Sequence, residues 1–148
     1  MERVSESATI AAKGEKIFKL LSEPERAVMF VPGLTHITNV AADKKSWDFE
    51  FSWHGLGISG RSECTASDAP HKYQFKTVTG NKSVWTYQCT QEGNATKLSL
   101  EIEYEVPSQQ LARFATEAIL KKMNQNTVRE IVPISRLWPR DRLSELVQ

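Results

Sequence analysis

The sequence predicts an α+β fold in which an antiparallel, curved sheet of seven strands wraps around one long C-terminal helix. Two observations lead to this prediction. Apolar residues alternate with polar ones through most of residues 34–105, and short segments rich in Gly, Pro and Asn separate the alternating runs. A helical pattern without Gly or Pro then fills residues 108–131. One further strand and two short helices are predicted before the sheet.

The first strand is predicted over residues 3–10, because its apolar residues fall mainly on one side, and the first helix over residues 11–21. The sequence Ser22-Glu23-Pro24-Glu25 predicts a capping box that opens a second short helix, with Ser22 as the cap and Glu25 returning to its amide. Pro32 and the glycine after it end that helix.

The clearest strand of the sheet is residues 46–53, where four large aromatic residues alternate with polar ones. One face of such a strand is apolar and the other polar, so one side of the sheet is expected to meet solvent. The apolar side needs a cover, and only the C-terminal helix is long enough to supply it. Further strands are predicted at residues 36–42, 58–66, 72–77, 84–90 and 98–104.

The predicted C-terminal helix begins at Ser108, a plausible N-cap that follows a proline, and ends before Pro133. At 1.5 Å per residue it spans roughly 36 Å. One of its faces starts apolar and becomes polar toward its end. Either the helix roofs a cavity there, or its last turns simply run beyond the sheet into solvent. The residues of this face are Leu111, Ala115, Ala118, Ile119, Lys122, Asn126 and Arg129.

Composition narrows the class of protein. The chain has 148 residues, 40% hydrophobic and 25% charged, which suits one globular domain, expected at residues 1–135 with a tail at 136–148. A net charge of +1 gives no strong attraction to nucleic acid, and no apolar run approaches the ~20 residues of a membrane span. Without a signal-peptide pattern, we expect a cytoplasmic protein in which Cys64 and Cys89 are buried free thiols.

The sequence offers no clear catalytic or metal-binding motif. His36, His54 and His71 fall at strand ends or turns without the spacing of a metal pair, and no phosphate-binding loop or nucleophile elbow is present. The strand carboxylates lie on the polar faces, which disfavours general acid–base pairing. We therefore expect no metal and no cofactor.

The order of elements resembles the helix-grip fold of the START-like, polyketide cyclase/dehydrase (SRPBCC) superfamily, which also contains the birch-pollen allergen proteins. The most specific match is the run Ile17–Arg26, IFKLLSEPER, followed by Phe30–Gly33, FVPG. The resemblance covers about residues 3–131. It implies a deep pocket between the sheet and the C-terminal helix, which relatives use for lipids, polyketides and other apolar molecules. Some relatives are cyclases or hydrolases, and many only bind or carry.

We therefore expect this chain to bind or transport an apolar or amphipathic small molecule, lipid-like or polyketide-like, in that pocket. Each polar residue proposed for the pocket has a purely structural alternative, either a satisfied core hydroxyl or, for Lys122, a stem lying on apolar surface. The expected pocket-lining residues of the strands are Phe51, Trp53, Ser62, Phe75, Thr77, Trp85, Tyr87 and Tyr104, and those of the helix are Ala115, Ala118, Ile119, Lys122 and Asn126.

Two alternatives remain. A cyclase or dehydratase needs a titrating pair in the pocket, and His54 and Tyr87 are its only candidate members. A protein-interaction module would instead use the tail, docked on a second apolar patch within one chain or on a partner such as a second copy. The patch is Val128, Ile131 and Val132, and the docking residue is Leu137, Trp138, Leu143 or Leu146.

Overall fold

The structure is a computed structural model that describes residues 2–29, 31, 33–53, 56–79 and 82–105. The predicted C-terminal helix and the tail lie outside the described residues, and the expectations for both stay predictions. The same holds for the assignment of residues 1–135 to a single domain.

The described residues form seven strands and two short helices, in the predicted order. The α-helix begins at Gly14 instead of Ala11, and the second short helix is a 3₁₀ helix. The elements are β1 (Glu2–Ile10), α1 (Gly14–Leu21), the 3₁₀ helix (Pro24–Met29), β2 (Leu34–Thr38), β3 (Ser46–Trp53), β4 (Leu56–Asp68), β5 (Lys72–Thr77), β6 (Ser83–Glu92) and β7 (Ala95–Tyr104).

All seven strands belong to one curved antiparallel sheet with the order β1-β7-β6-β5-β4-β3-β2. Strands β2 to β7 follow one another as a meander, while β1 pairs with β7 at the edge opposite β2. The chain between β1 and β2 therefore runs from one edge of the sheet to the other. The register sets the rows of side chains that cross the sheet. In one row Trp47 of β3 lies opposite Ser62 of β4, and Ser62 lies opposite Thr77 of β5.

Strict alternation gives the sheet an inner face, defined here as the face that packs against α1, and an outer face. Strand β7 shows this most clearly. Its inward residues Leu98, Leu100, Ile102 and Tyr104 are at most 1% exposed, and the residues between them reach the surface. The apolar core therefore lies on the inner face, as the sequence pattern predicts.

Helix α1 packs its apolar side against this inner face. Ile17, Leu20 and Leu21 are buried, and the Phe18 ring meets the Tyr73 ring edge-on with their centroids 5.9 Å apart. The start of the helix is tied to the sheet because the buried Thr96 hydroxyl donates a hydrogen bond of 2.8 Å to the Ala12 carbonyl. Helix α1 is thereby held over one end of the inner face.

The predicted capping box at the second short helix is wrong. The Ser22 amide already donates to the Phe18 carbonyl at 2.9 Å, as the C-cap of α1, so no amide is left for Glu25 to accept from. The Ser22 hydroxyl also points back into α1, where it donates to the Lys19 carbonyl at 3.3 Å. Ser22 therefore ends the first helix instead of starting the second.

Candidate functional site: a cavity on the inner face

A cavity opens on the inner face between the 3₁₀ helix and strands β2 to β6. Its atom-free space is about 610 Å³, including space open to solvent. The cavity has room for several waters or for a molecule of about two fused rings.

Aromatic rings from β3, β5 and β6 dominate the wall of this cavity. Phe75 is the central ring. It stacks on Trp85 with a centroid distance of 5.5 Å, and it meets Trp47 edge-on at 5.3 Å. Tyr73 and Tyr87 lie at 6.2 Å and 6.5 Å from the same ring. Such a wall offers flat apolar surfaces to a guest molecule.

Three polar groups beside these rings bond to one another. The Trp85 indole donates to the Ser83 hydroxyl at 3.0 Å, and that hydroxyl lies 3.2 Å from the Thr77 hydroxyl. The Ser83 amide donates to the Thr77 hydroxyl at 2.7 Å. These bonds satisfy the only donor of the Trp85 side chain and fix the plane of its ring.

Two tyrosines bring neutral phenols to the cavity. Tyr73 and Tyr87 lie opposite each other on β5 and β6, and each is 3% exposed. Burial raises the pKa of Tyr87 well above its usual range, and the neighbouring Tyr73 adds to the effect. Burial also raises the pKa of Tyr73, with smaller contributions from Cys64 and Glu25. Both phenols therefore stay protonated at neutral pH.

The lining contains six of the residues that sequence analysis proposed for the pocket. Tyr104 instead lies fully buried on β7, outside the lining, and for Trp53 the structure describes the strand but not the side chain. The five proposed helix residues, Ala115, Ala118, Ile119, Lys122 and Asn126, lie outside the described residues. The six residues that line the cavity are Phe51, Ser62, Phe75, Thr77, Trp85 and Tyr87.

The lining also contains residues that sequence analysis did not propose. Three of them share the alternating apolar faces of β3 and β5 and were visible in that pattern. The remaining six come from α1, the 3₁₀ helix, the segment before β2 and β2 itself, and no periodicity connects the first three of these to the sheet. These residues are Trp47, Phe49 and Tyr73, and then Leu21, Pro24, Ala27, Val31, Leu34 and Ile37.

The titratable groups with described positions lie mostly away from this cavity. Asp48 faces outward and binds Arg61 at 2.9 Å, and the hydrogen bond from Asn39 does most to hold the Asp48 pKa below its usual value. His36 lies exposed beside Glu50, with 2.9 Å between its Nδ1 and the carboxylate. His54, a candidate of the enzyme alternative, lies outside the described residues. Within the described part of the chain, no group of His, Cys, Asp and Glu has the arrangement of a metal site.

Cys64 and Cys89, both expected to be buried thiols, are free cysteines. Cys89 is buried, and Cys64 is half-buried. Burial raises the pKa of the Cys89 thiol to about 11. Among the described residues, no helix is long and apolar enough to cross a membrane.

The fold and the aromatic-lined cavity define a helix-grip protein with a cavity on the inner face of its sheet. The chain belongs to the family described as polyketide cyclase/dehydrase and lipid transport, whose family model matches residues 1–132. This confirms the resemblance inferred from the motif at Ile17–Arg26. No curated protein shows a significant match to the sequence.

Solved structures with low sequence identity share the fold. A protein from Thermus thermophilus has a TM-score of 0.77 at 17% identity, over 99% of this chain and 97% of its own. A START superfamily protein from Mycobacterium smegmatis has a TM-score of 0.74 at 16% identity, over 97% and 98%. The ginseng major latex-like protein 151 from Panax ginseng has a TM-score of 0.62 at 16% identity, over 88% and 95%. The predicted fold class is thereby confirmed.

Proposed function

We propose that this protein binds and carries an apolar or amphipathic small molecule, lipid-like or polyketide-like, in the cavity on the inner face. The observation that carries this proposal is the cavity itself. An evolved core is normally packed without voids larger than a water molecule, whereas this one keeps space between aromatic walls. A concave, mostly apolar site with a few polar groups is the usual form of a small-molecule site.

The lining supports binding over catalysis. Its described members are apolar side chains, serine, threonine, tyrosine and tryptophan, with no carboxylate, imidazole or amine among them. The raised pKa of Tyr87 makes its phenol a weaker acid, which does not suit proton transfer near neutral pH. The family description includes both cyclization and lipid transport, and this wall favours the second.

The predicted C-terminal helix is proposed to complete the binding space. Its small residues Ala115 and Ala118 are proposed to leave room under the helix, and Lys122 is proposed to meet a polar end of the ligand where the stripe turns polar. A cavity closed on one side by the sheet and on the other by this helix would enclose a guest more fully than the sheet alone.

The test is to identify what the protein holds. The purified full chain is extracted with organic solvent and the extract is analysed by mass spectrometry, and a panel of lipids and aromatic compounds is screened by melting temperature. We expect a bound compound in the extract or a rise of several degrees with members of the panel, since a ligand that binds only the folded state stabilises it. An empty extract together with no rise across the panel would refute the proposal.

An incubation of the purified protein with a bound compound distinguishes binding from catalysis. A compound that raises the melting temperature is incubated with the protein and recovered. An unchanged mass supports carriage, whereas a product lighter by one water, formed by wild type and not by Tyr87→Phe, would support a dehydratase.

A further inference from the structure

Ser83, at the start of β6, is a buried polar residue that ties this strand to the end of β5. The pairing of the two strands brings Lys76 opposite Val84, so Thr77 and Ser83 face each other at the next position. There the Ser83 amide donates to the Thr77 hydroxyl at 2.7 Å, and the two hydroxyls lie 3.2 Å apart. The Ser83 hydroxyl is therefore held in place by β5.

This hydroxyl fixes the ring of Trp85. Trp85 lies two residues further along β6, and its indole N–H donates to the Ser83 hydroxyl at 3.0 Å. An indole has a single donor, at one edge of the ring, so this bond determines how the ring is rotated about its own side chain. Because the acceptor is anchored as well, the ring is ordered before a ligand arrives, and the ligand does not bear the entropic cost of ordering it.

The orientation that results is nearly parallel to Phe75, which lies opposite Trp85 in the sheet. The two ring planes differ by 17°, whereas Trp47 meets the same Phe75 ring at 66°. Stacked carbon atoms touch at about 3.5–4.0 Å. The centroid distance of 5.5 Å therefore means that the rings of Phe75 and Trp85 are offset and overlap only in part. Both side chains are half-buried and line the cavity, so part of each ring remains accessible to a guest.

Parallel aromatic rings favour a flat aromatic guest. Aromatic pairs gain attraction beyond the area that they bury, and a saturated ring or an acyl chain lacks this gain. A puckered ring also touches a flat one with fewer of its atoms. The lining residues in the described part of the chain carry no charge, so ion pairs with them do not decide which ligand binds.

We infer that Ser83 is a positioning residue of the cavity, which holds Trp85 parallel to Phe75 and thereby makes the site select planar, fused-ring ligands over saturated ones of the same carbon skeleton. This inference rests on the proposed function and narrows its ligand class. The described lining of the cavity does not include Ser83, so this residue acts through the Trp85 ring.

The experiment compares methyl naphthyl ketone with methyl decahydronaphthyl ketone, which has the same carbon skeleton and carbonyl group but two saturated, puckered rings. Dissociation constants are measured by isothermal titration calorimetry in wild type, Ser83→Ala and Ser83→Thr. The ratio of the two constants is compared between variants, so the different hydrophobicity of the probes cancels. We expect Ser83→Ala to reduce the relative preference for the flat ketone about fivefold, the value of one aromatic contact. Ser83→Thr keeps the hydroxyl and should keep the preference.

Thr96→Val is the matched control, because it also removes a hydrogen bond of a buried hydroxyl, but at the start of α1 and outside the described cavity lining. It should leave the ratio unchanged. In NMR spectra of the ligand-free protein, the indole N–H signal of Trp85 should move in Ser83→Ala and stay in place in Thr96→Val. This readout separates the position of the ring from a general loss of stability.

An unchanged ratio in Ser83→Ala, or an equal fall in Thr96→Val or Ser83→Thr, would overturn the inference while leaving the binding function intact. The same holds if wild type binds the saturated ketone as tightly as the flat one, once each constant is corrected for the partition of the compound between water and octanol. If neither ketone binds wild type, the proposed function fails along with the inference.

Discussion

The two ends of the inner face are built by the same alternation and yet differ in how completely they are filled. At the β1–β7 end, Leu98, Leu100 and Ile102 are at most 1% exposed. At the β3–β5 end, Phe49 and Phe75 are only half-buried, and the cavity lies between them and the 3₁₀ helix. The first end gives stability, and the second gives the proposed binding space.

The difference follows from the shapes of the side chains. Aliphatic side chains fill most of the first end. At the second end Phe75 stacks on Trp85 and meets Trp47 edge-on, and space remains beside these rings. A small side chain enlarges that space. Ser62 lies between Trp47 and Thr77 in the sheet, where a larger residue would occupy part of the cavity. Gly60 acts differently, because a Cβ there would collide with the Thr79 carbonyl oxygen. Glycine at this position therefore lets the segment after β5 approach the sheet.

The largest expected effect is a difference in stability between the two ends. Leu100→Ala should lower the free energy of unfolding by about 3 kcal/mol, because it opens a void in a filled core. Phe49→Ala should cost only about 1–2 kcal/mol, because that ring is half-buried beside existing space. Urea unfolding measures both. A loss for Phe49→Ala as large as that for Leu100→Ala would contradict the comparison.

A larger side chain inside the cavity should weaken the binding of a ligand there. Ser62→Leu places a larger apolar side chain in the lining, and we expect it to weaken binding of a naphthalene probe by about tenfold or more. Ser59→Leu makes the same change on the same strand, at an exposed outer-face position, and serves as the control. Equal affinities for wild type and Ser62→Leu would show that the probe binds elsewhere.

The attachment of α1 should depend on one buried hydroxyl. Thr96→Val removes the hydrogen bond to the Ala12 carbonyl and should cost about 1 kcal/mol of unfolding free energy. Thr9→Val, at an exposed position of β1, should have almost no effect. If thermal or urea unfolding gave the same small change for both variants, the Thr96 hydrogen bond would contribute nothing to the free energy of unfolding.

The smallest expected effect concerns alkaline pH. The Cys89 thiol has a pKa of about 11 in the folded state and an ordinary value near 9 when unfolded. The unfolded chain therefore loses this proton at lower pH than the folded protein does. The contribution of Cys89 to the free energy of unfolding is complete below pH 9 and is lost as the pH rises from 9 to 11. Cys89→Ala should show a shallower fall of the unfolding free energy between about pH 9 and 11. An identical slope in both proteins would refute this assignment.

The sequence predicted the sheet well because each strand carries its own signal. The alternation in β3 and β7 determined which residues face inward, and the Gly93-Asn94 pair correctly marked the turn between β6 and β7. Polar outward residues such as Glu101 and Glu103 also lie where expected, where they pair with Arg3 at the surface.

The remaining features depend on contacts between distant segments. Pro24, Ala27 and Val31 line the cavity only because the chain after α1 folds over the β3–β5 end. The capping box failed for a local reason, since the Ser22 amide could serve only one of two helices. Tyr73 had the same pattern as Phe75, and only the structure shows that it packs against Phe18 of α1 in the wall of the cavity.

The most direct test of the binding space is a titration with methyl naphthyl ketone followed by two-dimensional NMR of the ¹⁵N-labelled full chain. We predict that the indole signal of Trp85 and the amide signals of β3, β4 and β5 shift, while those of β1 and the far part of β7 stay unchanged. Shifts confined to β1 and β7, or no shifts at all, would contradict the claim that the aromatic end of the inner face is a binding site.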